Sequence, residues 1–486
     1  MKKSADQKFK KTLPAASEKD WTFSGENAYD YLYDLSETIG SRLGGTKGEY
    51  EAALYIMNKF RAFGMRTFLQ KFPIWAYDNH EAKAEGRIGK GNWNAIPCEV
   101  HMPCSSTPKS GITGKLFFAV QGYQEAITPE IKGKIVVVSQ GIPKEEREHF
   151  LSYKPMALVY VDGRYETHLH RQLSGHDYFA SWGNLPTITI PYLDALPLIE
   201  AKEECEMRIT IANEEKYVWG HNVIGEIKGT DFPEEIIVIC GHYDTHWQCP
   251  GATDNGGGTV IAMELARVLA KKKPKRTLRF VLFSGEESGL HGSIAYAHEL
   301  MESDKKEKAK KSFDPASGRT LLERHRLGLN IDVMGALLAN DVILFSGPED
   351  LGASMRLLFF EKKRNCRCSR APMSSDGTPL AAVGIPVVQY GRYGAGTSFG
   401  HTGDDSIKYL SSEALFLSGD ICLTWLRRYV IDTPTLPFKR EVSPEDIKKC
   451  EDYFQGRRGR DPRFETKRLF PKGDPKIKDP AKKTLE

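Results

Sequence analysis

Two acids stand side by side at the end of an apolar run, Glu286 and Glu287 in "RFVLFSGEESG", residues 279–289. Phe280 to Phe283 reads as a buried strand that stops at Ser284-Gly285. Paired carboxylates at the mouth of a core strand repel, and burial sharpens the repulsion. Divalent cations supply the missing positive charge and invert the local pKa logic. Further acids and imidazoles follow other strand-like runs. His242 and Asp244 come after "IIVIC", and Asp254 precedes the glycine-rich start of a helix. Asp332 comes after "GLNI", and His401 lies downstream of "IPVVQY".

Each residue alone has a bland explanation. A lone histidine is commonly a hydrogen-bonded structural one, Asp254 could cap its helix, and the glutamates could sit exposed on a turn. Their joint placement argues otherwise, because ligands of open α/β sheets bind beyond the carboxyl ends of the strands. Imidazoles and carboxylates with no cysteine suit zinc or a neighbouring divalent ion. Two metals, about 3.5–4 Å apart, need a shared carboxylate and can hold a hydroxide between them. One glutamate of the pair can then bind metal while the other takes a proton from water. The residues alone do not tell Glu286 from Glu287 in these roles.

The elements that must position these residues follow from periodicity. Residues 25–65 read as two helices, the second with Ala52, Tyr55, Ile56 and Phe60 at helical spacing and Gly64 at its stop. "RTFLQKFPIWAY" looks extended. From about 88 to 215, short runs such as "KLFFAV", "KIVVVS", "ALVYV" and "TITIPY" alternate with Gly, Pro and charged turns, which predicts a separate β-rich insert. From 218 to 432 strands alternate with helices, among them the helix at 257–273. That pattern predicts an α/β sheet with helices on both faces. The expected organisation is an arm (1–20), a first part of the main domain (21–87), the insert (88–217), the rest of the main domain (218–432) and a basic extension (433–486).

The totals are compatible with two or three domains: 486 residues are too many for one compact core. With 40% hydrophobic and 27% charged residues the composition is that of a globular protein, and no run approaches a membrane span. The first twenty residues carry positive charge without an apolar stretch, so a secretory signal is not expected there. Nine scattered cysteines, an odd number, fit free thiols in a reducing compartment, so a cytoplasmic location is expected. The net charge of +4 is uneven, with 15 Lys/Arg against 10 Asp/Glu in residues 437–486. Without interleaved aromatics this tail reads as a solvated or packing arm, and no nucleic-acid partner is expected.

"GHYDT", "GATDNGGG", "FSGEESGLHGS", "NIDVMG" and "GHTGDDS", in this order, resemble the dinuclear zinc aminopeptidase family. That family also contains glutaminyl cyclases, glutamate carboxypeptidase-like enzymes and the transferrin receptor. The resemblance covers about 218–432 and the helical start from "GSRLGG". It implies a three-layer zinc-exopeptidase-type mixed sheet and two divalent ions, most commonly zinc. His242 and Asp332 would hold one ion, Glu287 and His401 the other, with Asp254 bridging and its peptide to Asn255 cis. Glu286 would be the general base, and Asp244 would accept the other ring N–H of His242. The insert, with "GKIVVVS" and "LPTITIPYLDAL", resembles a protease-associated domain.

The implied reaction is hydrolysis of the N-terminal bond of a peptide or amino-acid amide, with the free amine near the second ion. "YGRYGAGTSFG" (390–400) offers Tyr390, Arg392, Tyr393 and Phe399 as candidate substrate contacts. Carboxypeptidase or glutaminyl cyclase chemistry at the same ions is the alternative, with Arg392 as a candidate cation for a substrate carboxylate. A non-catalytic binding relative is a further alternative. One departure stands out: relatives often carry Ser-Asp-His where this chain has Ser375-Asp376-Gly377. Oligomeric state is left open between monomer and homo-oligomer.

Overall fold

The computed structural model describes residues 22–454 apart from 103, 120–126, 140, 143–145, 163–168, 170–171, 174–184 and 315–317. The expected N-terminal arm and the tail beyond 454 lie outside these residues. The strands are, in chain order, β1 (Arg66–Ile88), β2 (Asn94–Ile96), β3 (Glu99–Met102), β4 (Ile112–Phe118) and β5 (Ile135–Val138). There follow β6 (Ala157–Asp162), β7 (Gln172–Leu173), β8 (Thr187–Pro191), β9 (Cys205–Ile227) and β10 (Phe232–His242). The last five are β11 (Arg276–Phe283), β12 (His325–Ile331), β13 (Asn340–Ser346), β14 (Cys366–Arg370) and β15 (Val387–Tyr393).

Hydrogen bonding runs in the order β14-β13-β15-β12-β10-β11-β9-β4-β5-β6-β8-β3-β7, with β1 on β9 and β2 on β1. β10, β11, β12 and β15 run parallel, while β9 is antiparallel to β11 and β13 to β15. The fold is thus a mixed α/β sheet with helices on both faces. β10 shows why. Its Ile237 and Ile239 join one core, with Leu265 and Leu269 of the Gly257–Ala270 helix and Trp425 of the Ser412–Leu426 helix. Its Ile236, Val238 and Cys240 face the opposite core, with Tyr296 and Leu300 of the His291–Lys308 helix. A strand covered on both faces needs an unbroken apolar run rather than an alternating one.

The β-rich part is joined to this sheet by a long ribbon rather than by linkers. β1 and β9 pair from Arg66↔Glu226 to Ile88↔Cys205, with one register shift between Asp78 and Glu81. Near one end of the ribbon, Val223 belongs to the main core; towards the other, Ala84, Met207, Ile209 and Ile211 pack with Ile135, Val159 and Ile188 in a second core. The expected boundaries at 87/88 and 217/218 both fall within this ribbon. One falls within the last residues of β1, the other in the middle of β9, and the change of core lies nearer the register shift. The expected boundary at 433 is likewise crossed by packing. Phe438 joins the main core, and Cys450 and Phe454 close a cluster with Leu290, Ile294 and Val387.

Candidate active site

The site lies where β10, β11, β12 and β15 end. β11 stops at Phe283, and Gly285 turns the chain with φ +71°, a left-handed value that glycine tolerates. A Cβ there would sit 2.6 Å from Ile74 Cδ1, so the turn has no room for a side chain. The turn presents Glu286 and Glu287, each 5% exposed. Their backbone N–H groups donate to the two oxygens of Asp244, at 3.2 and 3.3 Å. Asp244 therefore clamps the turn after β11 to the loop after β10. Its carboxylate also lies 3.4 Å from His242 Nδ1, although that ring nitrogen is nearer, at 3.2 Å, to the Asp244 carbonyl. The expected hydrogen bond between ring and carboxylate is thus shared with the backbone.

Two groups of candidate metal ligands form, His242–Asp254–Asp332 and His246–Glu287–His401. In the first, His242 Nε2 is 3.2 Å from Asp332 Oδ1 and 3.3 Å from Asp254 Oδ1. In the second, His401 Nε2 is 3.2 Å from Glu287 Oε2 and 3.1 Å from the other oxygen of Asp254, Oδ2. Asp254 thus faces one group with each oxygen. The peptide joining it to Asn255 is cis. His246, which the sequence reading passed over, puts Nε2 3.0 Å from Glu287 Oε2.

The electrostatics are those of a cation site. Burial disfavours charge on His242 and His401, yet the surrounding carboxylates outweigh it and hold both imidazoles well above their ordinary range. Burial likewise opposes a charged Glu287, but His246 and His401 hold its carboxyl well below the usual value. Glu287 Oε1 is buried with no hydrogen-bond partner, a costly state for a carboxylate oxygen unless something else binds it. An orphaned acceptor among imidazoles and a carboxylate divided between two groups fit divalent ions such as zinc.

The supporting residues lie inside the quoted motifs, which gave them no role. Arg42 is completely buried and donates to five carbonyls, those of Leu35, Gly40, Tyr243, Pro250 and Gly251, at 2.8–3.0 Å. Burial lowers its guanidinium to about 10. It stitches the loop after β10 to the N-terminal helices. Asp405 accepts the N–H groups of Thr253 and Asp254, at 2.9 and 3.1 Å, and the Thr253 hydroxyl, which fixes the Asp254 backbone. Asn255 Oδ1 takes the N–H groups of Gly258 and Val333, joining the helix start to the loop after β12.

The candidate substrate contacts divide. Tyr390 is fully buried, with its hydroxyl on Asp341 at 2.6 Å, so it belongs to the core and not to a pocket wall. Arg392 is also buried, 3.2 Å from Asp341, with hydrogen bonds to the carbonyls of Leu337 and Ala339. Its Nε and Nη1 make no hydrogen bond, although the side chain is buried beside Asp341. Tyr393 lies on the other face of β15 and is 38% exposed. Burial of its phenol, with the charges of Asp332, Asp254 and Glu286 in the vicinity, raises its pKa. Phe399 stacks on Tyr409 with ring centroids 4.6 Å apart. At Gly377 a Cβ would meet Gln389 Oε1 at 2.5 Å, so Gln389 fills the space beside this position.

Known proteins are similar to this chain over much of its length. Aminopeptidase YwaD of Bacillus subtilis is 26% identical over 447 residues, covering 89% of each chain. Carboxypeptidase Q of Mus musculus is 27% identical over 297 residues, 55% of this chain and 60% of that protein. The crystal structure of BSAP, a zinc aminopeptidase from Bacillus subtilis, superposes with a TM-score of 0.66 at 23% identity, over 88% of this chain and 99% of that one. Residues 222–426 match the model of Peptidase family M28 and contain the whole ligand constellation from His242 to His401. Over residues 222–426 the chain is therefore similar to Peptidase family M28.

Proposed function

We propose that this chain is a zinc-dependent exopeptidase that removes the N-terminal residue of peptides or amino-acid amides, using two metal ions that share Asp254. The observation carrying this reading is the division of Asp254 between His242 on one side and His401 on the other. His242, Asp254 and Asp332 would hold one ion; Asp254, Glu287 and His401 would hold the other. When bound, such ions lower the pKa of water and polarise a carbonyl oxygen. Glu286 is the general base: it takes a proton from the attacking water and passes it to the amide nitrogen as the C–N bond breaks. Asp244 holds that base in place through the Glu286 N–H. Tyr393, partly exposed at the end of β15, would line the mouth.

The similarity to carboxypeptidase Q keeps a second reading in view, release of a C-terminal residue. It needs a cation for the free carboxylate, and Arg392 is buried beside Asp341. Similarity to aminopeptidase YwaD over 89% of each chain, against 55% of this chain for carboxypeptidase Q, favours removal of an N-terminal residue. Glu286→Gln tests it. The variant is expected to keep its zinc and lose about 10²–10⁴-fold in turnover of aminoacyl-anilides. Unchanged turnover would remove Glu286 from the chemistry. Wild-type cleavage confined to C-terminal glutamate peptides, or cyclisation of N-terminal glutamine, would replace the proposed reaction with its alternatives.

A further inference from the structure

The two ligand groups are unequal, and His246 makes them so. Its imidazole is 3% exposed and stacks on that of His401, with centroids 4.0 Å apart and planes at 24°. Both rings aim Nε2 at one atom, Glu287 Oε2, at 3.0 and 3.2 Å. The backbone holding His246 is fixed from two sides: its carbonyl accepts the hydroxyls of Ser41 and Thr245, at 3.2 and 2.9 Å. Thr245 Oγ1 in turn accepts the Arg42 N–H at 2.9 Å. Two imidazole nitrogens converging on one carboxylate oxygen offer three protein donors around one position, and Asp254 Oδ2 adjoins it 3.1 Å from His401 Nε2. The His242 side offers a single imidazole with Asp254 and Asp332.

We infer that His246 is an additional ligand, closing the position formed by Glu287, His401 and Asp254 so that it retains zinc tightly, while the His242–Asp254–Asp332 position stays open and exchangeable. The inference rests on the metal-dependent reading above. Its physical basis is ligand chemistry. Zinc bound by four protein ligands is a closed, structural type of site, whereas three leave a place for water or substrate. Imidazole-rich sets select zinc over the oxygen-seeking magnesium, calcium and manganese. Exchange with bulk ions and entry of the substrate carbonyl then concentrate on the His242 side.

The test is metal loading of the full chain, stripped with a chelator and titrated with Zn²⁺ against a chromophoric competitor. Two equivalents of unequal affinity are expected. His246→Gln keeps a polar group beside Glu287 but is a poor metal ligand, and should weaken the tighter equivalent by at least about tenfold while leaving the weaker one unchanged. Zinc-edge X-ray absorption of the wild type loaded with one equivalent supplies a reading that needs no variant. Two imidazoles on that zinc are expected, and one imidazole overturns the inference. So does a tighter equivalent that is the same in His246→Gln and wild type, which would make His246 only a hydrogen-bond partner of Glu287. A wild type that takes up no zinc would instead refute the metal-dependent reading beneath it.

Discussion

At the scale of single residues, the site is a set of charges that cannot be buried together without compensation. Asp254, Glu286, Glu287 and Asp332 occupy one crevice with three imidazoles, and Asp254, Asp332 and Glu287 each lie against one of those rings. Precision there depends on groups that touch no substrate. Asp405 is a case: burial raises its carboxyl to about 6, yet it accepts three donors from Thr253 and Asp254. Asp405→Asn keeps one acceptor oxygen and puts an NH₂ against donors. We expect it to cost about 10–100-fold in zinc affinity, measured by competition with a chelator, with the fold intact by circular dichroism. The candidate ligands were legible in the sequence because His242, Glu287, Asp332 and His401 come after strand-like runs and Asp254 precedes a glycine-rich helix start. His246 was not, because nothing in "GHYDTHW" separates a loop histidine that turns inward from one that faces water. Arg42 hid for another reason: its partners are backbone carbonyls, and no side-chain motif records them.

At the scale of elements, alternation decides which side chains reach the crevice. On β15, Tyr390 and Arg392 pair opposite Ile343 and Asp341 of β13, while Tyr393, partly exposed, lies on the other face. Tyr390 and Arg392 share parity, so one face carries both into the core. The sequence reading grouped them with Tyr393 by proximity alone, and parity would have separated them. The start of β12 holds a buried titratable group with a pH signature. His325 Nδ1–H donates to the Leu321 carbonyl, and Nε2 accepts the Tyr296 hydroxyl, both at 2.7 Å. Burial, with Arg279, Arg440 and Arg324 around it, lowers its pKa to about 3. Unfolded, it would take a proton near its ordinary value of about 6.5. Its contribution to stability is therefore complete above that pH and is lost as pH falls towards 3, at about 1.4 kcal/mol per pH unit. His325→Gln should flatten the acid limb of a urea-denaturation series between pH 6.5 and 4 by that slope; an unaltered limb would contradict the assignment.

At the scale of the whole molecule, two cores share one ribbon. The continuous pairing of β1 with β9 carries the chain from the sheet that holds the ligands into the β-rich part, which the sequence reading had set apart as an insert with its own boundaries. The change of texture near residue 88 was real. It marks where short strands begin, though, and not where the long ones stop, because a strand that spans two cores has no compositional break. No helix among the described residues is long and apolar enough to cross a membrane. The parallel strands deliver ligands from five separate segments to one edge, and the proposed reason for that convergence is a pair of divalent cations bridged by Asp254. Anomalous diffraction at the zinc edge from a metal-loaded crystal tests this most directly. Two peaks are expected, one on each side of the Asp254 carboxylate; a single peak, or none between His242 and His401, would contradict it.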